Sequence, residues 1–322
     1  MESGRPATLA VLGGTGFVGR HLVTASLAAG IATVATRYRE ASVLPERGLL
    51  ALETVDVRDR RAVRAFLRRW EPRLVVVLAA QSSVAAAEAD KQLAFDVNVR
   101  GAWNVFVAAR SQRRLEKIVW VGSGEAYGVM PEEVAALDEN QPLEPVTAYG
   151  ASKAAADWLA MQQARVHGTP IVRARLFPCT GPGQSARFVC SDFARQIAMA
   201  ERRGRPVEIV GGNLHVVRDY TDVRDVAVAL LALLQSGRVG EAYNVCSGVG
   251  RTILEVAHTL LGVAGLKGTV RSDARKQRTV DIPRLIGNPE KITAATGWQP
   301  RRTFEQTLRD LLEDWRRRVQ LS

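Results

Sequence analysis

The chain has 322 residues, of which 47% are hydrophobic and 24% charged, with a formal net charge of +11. These proportions are ordinary for a globular protein, and no apolar run approaches the roughly 20 residues of a membrane span. Three cysteines and four scattered histidines follow no ligand spacing, which predicts no metal site and a reducing, cytoplasmic location. The polar residues 1–6 predict no secretory signal. The arginines are spread without a nucleic-acid-binding signature, so we expect no nucleic-acid or membrane partner.

A glycine-rich turn follows the first predicted strand. Residues 8–12 form a continuous apolar run, as expected of a strand buried on both faces. The run leads into Gly13, Gly16 and Gly19, spaced as G-x-x-G-x-x-G, and a helix is predicted over 17–29. Glycines there allow a tight turn and let backbone N–H groups approach a pyrophosphate. The pattern therefore predicts a dinucleotide site.

The second and third predicted strands bear on which dinucleotide binds. The second strand, 31–36, is followed by Arg37 and Arg39, whereas an acidic residue there would select NAD through the ribose hydroxyls. Arginines suit a 2′-phosphate, which favours NADP(H). The alternative is that both belong to the arginine-rich surface. The third strand, 52–55, ends at Asp56, which is placed to meet the adenine amino group.

Strands and helices then alternate along the chain. We predict helices over 58–70, 94–110, 148–167, 194–203, 223–234, 252–261, 289–296 and 304–319, and strands over 74–78, 117–121, 170–175 and 207–210. This alternation indicates an α/β fold with a right-handed, doubly wound parallel sheet. Sites in such sheets lie at the carboxyl ends of the strands.

Tyr149 and Lys153 share one face of a predicted helix because they are four residues apart. A cation about 4 Å from the phenol contributes up to roughly 4 kcal/mol at an effective dielectric near 20, enough to lower its pKa by as much as ~3 units. Such a pair on a helix surface usually has no function. Here Ser123 lies just past the preceding strand, and its hydroxyl can reach the same space. This placement predicts a site that handles protons.

The ordered set of motifs resembles the extended short-chain dehydrogenase/reductase family that acts on nucleotide sugars. The matching segments are Gly13-Gly-Thr-Gly-Phe-Val-Gly19, Leu78-Ala-Ala-Gln-Ser82, Ser123-Gly-Glu-Ala-Tyr-Gly128, Tyr149-Gly-Ala-Ser-Lys153, Arg218-Asp-Tyr-Thr-Asp-Val-Arg-Asp225 and Tyr243-Asn-Val-Cys-Ser-Gly248. Others, including Gly181-Pro-Gly-Gln-Ser185 and Ile282-Pro-Arg-Leu-Ile-Gly287, most resemble the GDP-6-deoxy-4-keto-D-mannose reductases, with GDP-mannose 4,6-dehydratases as near relatives.

The resemblance implies a Rossmann-type sheet with a smaller α/β C-terminal part. Residues 1–176, with 214–248 returning in part, would bind the dinucleotide, and 177–213 with 249–322 would bind the nucleotide sugar. It also implies a homodimer built from two helices per subunit. Reduction of the C4 keto group of a GDP-4-dehydro-6-deoxy-D-mannose-type sugar to GDP-D-rhamnose is the expected reaction.

The resemblance also assigns roles to individual residues. The implied catalytic residues are Ser123, Tyr149, Lys153 and Glu125. Those implied at the cofactor are Gly13, Thr15, Gly16, Phe17, Val18, Gly19, Arg37, Arg39, Asp56, Val57, Ala79, Ala80, Gln81, Asn98, Tyr149, Lys153 and Leu176. Those implied at the substrate are Ser82, Ser123, Glu125, Phe188, Val189, Arg218 and Arg278, the two arginines as clamps for the diphosphate.

Three alternatives to the reductase stay open. Dehydratases carry threonine where this chain has Ser123 and use a glutamate to eliminate water, but related reductases also keep a glutamate at the position of Glu125. A 4-epimerase is a further enzyme candidate, and a dinucleotide-sensing regulator is the non-enzyme candidate. Pro178 stands where many relatives place an asparagine near the diphosphate, and proline offers neither an N–H nor a polar side chain.

Overall fold

The computed structural model describes residues 8–38, 44, 48–277 and 280–321. The strands are β1 (Leu9–Leu12), β2 (Thr33–Arg37), β3 (Leu49–Thr54), β4 (Leu74–Val77), β5 (Lys117–Val121), β6 (Ile171–Leu176), β7 (Cys179–Thr180), β8 (Val207–Gly211), β9 (Val217–Asp219), β10 (Thr221–Asp222), β11 (Ala242–Val245), β12 (Gly250–Thr252), β13 (Gly268–Ser272) and β14 (Arg284–Leu285). The helices are α1 (Phe17–Ala28), α2 (Arg60–Trp70), α3 (Val84–Ala89), α4 (Lys91–Phe95), α5 (Ala102–Ala109), α6 (Ala148–His167), α7 (Val189–Arg202), α8 (Val223–Ser236), α9 (Ile253–Ala264), α10 (Glu290–Thr296) and α11 (Phe304–Leu321).

Seven parallel strands form the central sheet, in the order β11-β6-β5-β4-β1-β2-β3. The chain moves outward from β1 to β3 and then returns to β4 on the other side of β1. The strand order therefore reverses between β1 and β4, where open α/β sheets bind ligands at their carboxyl ends. The predicted doubly wound α/β fold is confirmed.

Two apolar cores cover the two faces of this sheet. Along β5 the side chains alternate: Ile118 and Trp120 enter one core, and Val119 and Val121 enter the other. The first core is closed by α2, α5 and α6, and the second by α1 and α8. Because both faces are buried, the strands are nearly continuous apolar runs, which is the pattern that the sequence carries.

A third core lies among α7, α9, α11 and β8 and includes Phe193, Leu260 and Leu308. Three small sheets accompany it, β12-β9-β14, β13-β8 and β10-β7. Across the described residues, every helix is too short or too polar to cross a membrane.

The predicted single helix over 94–110 has a different structure. It consists of α4, a π-helical segment Asp96–Gly101, and α5. The wider π-helical turn carries Asn98, whose amide hydrogen-bonds the Gln81 backbone and the Ser152 side chain. Single-turn π-helical insertions of this kind often mark functional sites, and apolar periodicity does not reveal them.

The loop between β7 and α7 is held from two sides. The ring of His21, on α1, hydrogen-bonds the carbonyl oxygen of Pro182 at 2.9 Å. The backbone N–H of Gly183 donates to Asp314 Oδ2, on α11, at 2.8 Å. The loop thus joins the first helix of the chain to the last.

Candidate active site at the carboxyl ends of the central strands

The glycine turn between β1 and α1 has the shape that a pyrophosphate requires. Gly13 has φ +87°, and a Cβ there would lie 2.7 Å from the backbone nitrogen of Ala79, which follows β4. A Cβ at Gly19 would lie 2.2 Å from the Gly13 carbonyl oxygen, so the helix packs directly on the turn. Gly16 is the N-cap of α1 and has no side chain to cap it, which leaves the N–H groups of the first helical turn available to an anion. These residues fit a dinucleotide.

The other predicted residues of the turn lie where the sequence places them. Phe17 and Val18 open α1, and Thr15 is buried. Thr36, at the end of β2, accepts a hydrogen bond from the Gly13 N–H at 3.0 Å, which fixes the turn against the neighbouring strand. Sequence reasoning missed this role of Thr36, because a threonine in a strand carries no signal of a loop contact.

The predicted adenosine end lies past β2 and β3. Arg37 ends β2, and its Nε lies 3.3 Å from Thr54 Oγ1. Arg39 lies outside the described residues. The carboxylate of Asp56 is bound on both oxygens by Arg58, whose NH2 also donates to the Tyr38 hydroxyl at 2.6 Å. Arg58 was not predicted at this position, and its spacing of two residues from Asp56 was the available signal.

Two asparagines hydrogen-bond the loops at the carboxyl edge of the central sheet. Asn104 donates to the carbonyl oxygens of Val57 and Arg58, at 2.9 and 3.0 Å. Asn98, which is 2% exposed, accepts from the Gln81 N–H at 2.8 Å and donates to Ser152 Oγ at 2.8 Å. The predicted cofactor residue Asn98 therefore binds protein groups, and it connects the loop after β4, with Ala79 and Ala80, to the helix of Tyr149.

Ser123 and Tyr149 meet just past the end of β5, and Lys153 contacts the last residue of that strand. Ser123 follows β5 and is 6% exposed, and its hydroxyl accepts the Glu125 N–H at 3.2 Å as the N-cap of the 3-10 turn Gly124–Tyr127. α6 begins at Ala148 because the Thr147 hydroxyl caps the Gly150 N–H at 3.0 Å. The cap places Tyr149 in the first turn and Lys153 one turn later.

Lys153 points into the sheet. Its ammonium donates to the Val121 carbonyl oxygen at 2.7 Å and lies 5.0 Å from the centre of the Trp120 ring. Burial lowers the pKa of Lys153 from 10.5 to about 8, and the charge of Asp157 partly opposes this shift.

The phenol of Tyr149 keeps its proton at neutral pH. Loss of hydration raises its pKa from 10.0 to about 12, the nearby Ser123 side chain favours the ionised form, and Glu125 and Cys179 oppose it. The expectation that Lys153 lowers this pKa is therefore wrong for this structure, since the desolvation of a half-buried phenol outweighs the favourable contacts.

The carboxylate of Glu125 and the thiol of Cys179 both lie near the Tyr149 phenol. Glu125, 9% exposed, stands within electrostatic reach of Tyr149 in the turn after Ser123. Loss of hydration raises the pKa of Cys179 to about 12, so its thiol is not a nucleophile at neutral pH.

The predicted substrate residues lie on several different elements. Phe188 is the N-cap of α7 and Val189 its first residue, and the cap has no side-chain hydrogen bond. Arg218 is 5% exposed, pairs with Asp281 at 2.7 Å and donates to the Ile282 carbonyl oxygen at 2.7 Å. Ser82 is exposed after β4, and Leu176 ends β6. Arg278 lies outside the described residues.

A separate cleft of about 790 Å³ opens near the starts of α8, α10 and α11, between residues such as Arg251, Glu290 and Phe304. Ser123, Tyr149 and Lys153 do not line it. The candidate site at the sheet edge is therefore distinct from this cleft.

The family model for GDP-mannose 4,6-dehydratase matches residues 10–311. The GDP-6-deoxy-D-mannose reductase of Pseudomonas aeruginosa is 33% identical over 77% of this chain and 82% of that protein. The structure of RMD from Pseudomonas aeruginosa with NADPH superposes with TM-score 0.83 at 32% identity, covering 97% of this chain and all of the other. The Thermus thermophilus UDP-glucose 4-epimerase with NAD superposes with TM-score 0.85 at 31% identity, covering 96% and 98%. The chain therefore belongs to the GDP-mannose 4,6-dehydratase family and is an enzyme of the extended short-chain dehydrogenase/reductase type.

Proposed function

We propose that this enzyme reduces the C4 keto group of a GDP-4-dehydro-6-deoxy-D-mannose-type nucleotide sugar to give GDP-D-rhamnose. The observation that carries the proposal is the phenol of Tyr149, which lies within hydrogen-bonding reach of Ser123 at the sheet edge next to the glycine turn. Similarity to the Pseudomonas aeruginosa reductase supports the choice of sugar and base.

Tyr149, Ser123 and Lys153 have different roles in the proposed reduction. Bound NADPH would supply a hydride to the carbonyl carbon. Tyr149 donates its proton to the oxygen as negative charge develops there, and Ser123 hydrogen-bonds the same oxygen. Lys153, as an ammonium held at the Val121 carbonyl oxygen, would hold the nicotinamide ribose.

Ser123 and the sequence similarity favour a reductase over its two enzyme rivals. By resemblance, dehydratases carry threonine where this chain has Ser123. The Pseudomonas aeruginosa reductase is 33% identical to this chain over 77% of its length. Glu125 is present for a dehydratase, but its position beside Tyr149 serves either reaction.

We propose NADP(H) as the cofactor, with NAD(H) as the second candidate. Arg37 at the end of β2 and Arg58 after β3 bring two guanidiniums to the edge where the adenosine ribose would lie. The NADPH complex of the related Pseudomonas aeruginosa protein supports this choice, whereas the related epimerase was solved with NAD.

On the substrate side, the uncapped start of α7 at Phe188 and the buried Arg218 are the proposed diphosphate contacts. The division at residue 176 into a dinucleotide-binding part and a nucleotide-sugar-binding part remains a prediction, as does the homodimer.

A screen of GDP-, dTDP- and UDP-linked 4-keto sugars with NADPH and NADH tests the function. We expect stoichiometric oxidation of NADPH with the GDP-linked sugar and a rhamno product by NMR. A dehydratase or epimerase would convert a GDP-linked hydroxy sugar with no net change in NADPH absorbance, and that result would refute the reductase.

A further inference from the structure

A buried ionic cluster lies behind the catalytic helix. Asp157 is 2% exposed and follows Lys153 by four residues, so both lie on one face of α6. Its Oδ1 accepts from Arg173 NH1 at 2.5 Å, and its Oδ2 accepts from Arg175 Nε at 3.0 Å. Both arginines belong to β6 and are less than a tenth exposed. Two guanidiniums thus share one carboxylate.

The cluster also reaches the turn that follows Ser123. Arg175 NH1 donates to the Tyr127 hydroxyl at 2.9 Å, and Tyr127 donates in turn to Asn244 Oδ1, on β11, at 2.8 Å. On the far side, the Glu139 carboxylate accepts the Asn244 N–H at 2.6 Å. The catalytic helix, the serine turn and two strands are therefore joined through one polar network.

Few other charges are available to balance Lys153. On the remaining elements packed against α6, Glu88 pairs with Lys91, Asp96 pairs with Arg100, and Arg110 binds Gln163 near the other end of the helix. In the serine turn, Glu125 faces the Tyr149 phenol. Asp157 is the carboxylate whose charge acts on the ammonium.

We propose that Asp157 is a positioning residue of the active site, which fixes α6 against β6 through Arg173 and Arg175 and supplies the negative charge that keeps Lys153 an ammonium. The catalytic consequence rests on the proposed reductase function, whereas the charge relationship does not. Removal of the carboxylate leaves two buried guanidiniums without their shared partner, takes away the negative charge that acts on the ammonium and lowers the pKa of Lys153. Removal of Arg173 leaves the Asp157 carboxylate with one guanidinium, so more of its negative charge acts on the ammonium and the pKa of Lys153 rises.

Competitive labelling of Lys153 with acetic anhydride across pH, read by mass spectrometry with exposed Lys267 as reference, measures this pKa without any substrate. We expect Asp157→Asn to lower the midpoint by about one pH unit or more. Arg173→Gln should raise it, and Asp157→Glu should restore the value of the unmodified protein. Two substitutions that both weaken the same ion pair would then act in opposite directions, which a merely structural role does not produce.

The proposal is overturned if both substitutions move the midpoint in the same direction, or if Asp157→Asn shifts it by less than about 0.3 pH unit. If Asp157→Asn does not fold, Arg173→Gln and Asp157→Glu still decide: an unchanged or lowered midpoint in Arg173→Gln refutes the charge role. The alkaline limb of kcat/KM should move with the labelling midpoint. If the labelling midpoints shift as expected but no keto sugar is turned over, the charge role of Asp157 stands and only the proposed reductase function is refuted.

Discussion

The ammonium of Lys153 lies 2.7 Å from the carbonyl oxygen of Val121, the last residue of the strand that leads to Ser123. This hydrogen bond links α6 to β5, the strand that ends just before Ser123. Since the same ammonium is buried and its pKa is about 8, its charge is lost within the range of pH that enzymes commonly experience.

Replacement of Tyr149 by phenylalanine removes the proton donor and keeps the ring. We expect turnover of the keto sugar to fall about 10²- to 10⁴-fold, the usual contribution of a positioned general acid. Binding of NADPH, followed by its fluorescence, should change little. Full turnover in this variant would show that Tyr149 is not the donor.

The rate should depend on pH through Lys153. Its pKa is lowered from 10.5 to about 8, so below pH 8 the group is charged and above it the charge disappears. We therefore expect kcat/KM, which reports the free enzyme, to decline above pH 8 by up to about tenfold per unit. The residual activity of Lys153→Met should lack this limb. A kcat/KM that stays constant from neutral pH to beyond pH 9 would contradict the assignment.

A methyl group at Gly19 has no room. Its Cβ would lie 2.2 Å from the Gly13 carbonyl oxygen, so Gly19→Ala should lower the free energy of unfolding by about 1–3 kcal/mol and weaken NADPH binding. Gly262, within α9, has open space around it, and Gly262→Ala should stabilise by about 0.5–1 kcal/mol. Urea unfolding measures both, and equal effects would contradict the packing argument.

Arg37 should discriminate between the two cofactors. With a 2′-phosphate partner, Arg37→Ala raises KM for NADPH about tenfold and leaves KM for NADH nearly unchanged, because a charge-assisted contact is lost only with the phosphate. Arg64→Ala, on the exposed face of α2, is the matched control and should alter neither. Equal changes with both cofactors would assign Arg37 to the general surface.

The predicted homodimer can be tested on α6. Trp158 is 60% exposed there, a large apolar surface that an interface would cover. Trp158→Glu should convert a dimer to a monomer in analytical ultracentrifugation. Val228→Glu, at a 47% exposed site on α8, should leave the assembly unchanged. A wild-type monomer would rule out the prediction.

Six of the seven strands of the central sheet were predicted, because strands buried on both faces leave apolar runs that glycine turns delimit. The seventh, β11, was not predicted, because the buried Asn244 interrupts its short apolar run. β5 and α6 have the predicted bounds, since the Thr147 cap and the Gly168 end of α6 are local signals. The π-helical segment around Asn98 was not predicted, because its cause is a set of tertiary hydrogen bonds.

The sequence indicated which residues form the candidate site, but it did not indicate how burial changes their pKa values. Spacing placed Tyr149 and Lys153 on one helix face, but the effect of burial on the phenol pKa depends on the whole surrounding structure. Likewise, Arg218 was predicted as a clamp, and its pairing with Asp281 depends on strands far apart in the chain.

The loop of Pro182 and Gly183 has a mechanical consequence. Because its carbonyl oxygen is held by His21 and its amide by Asp314, the cofactor-side helix and the terminal helix are latched at this edge. Any rearrangement that separates α1 from α11 at this edge would therefore have to break one of these two hydrogen bonds.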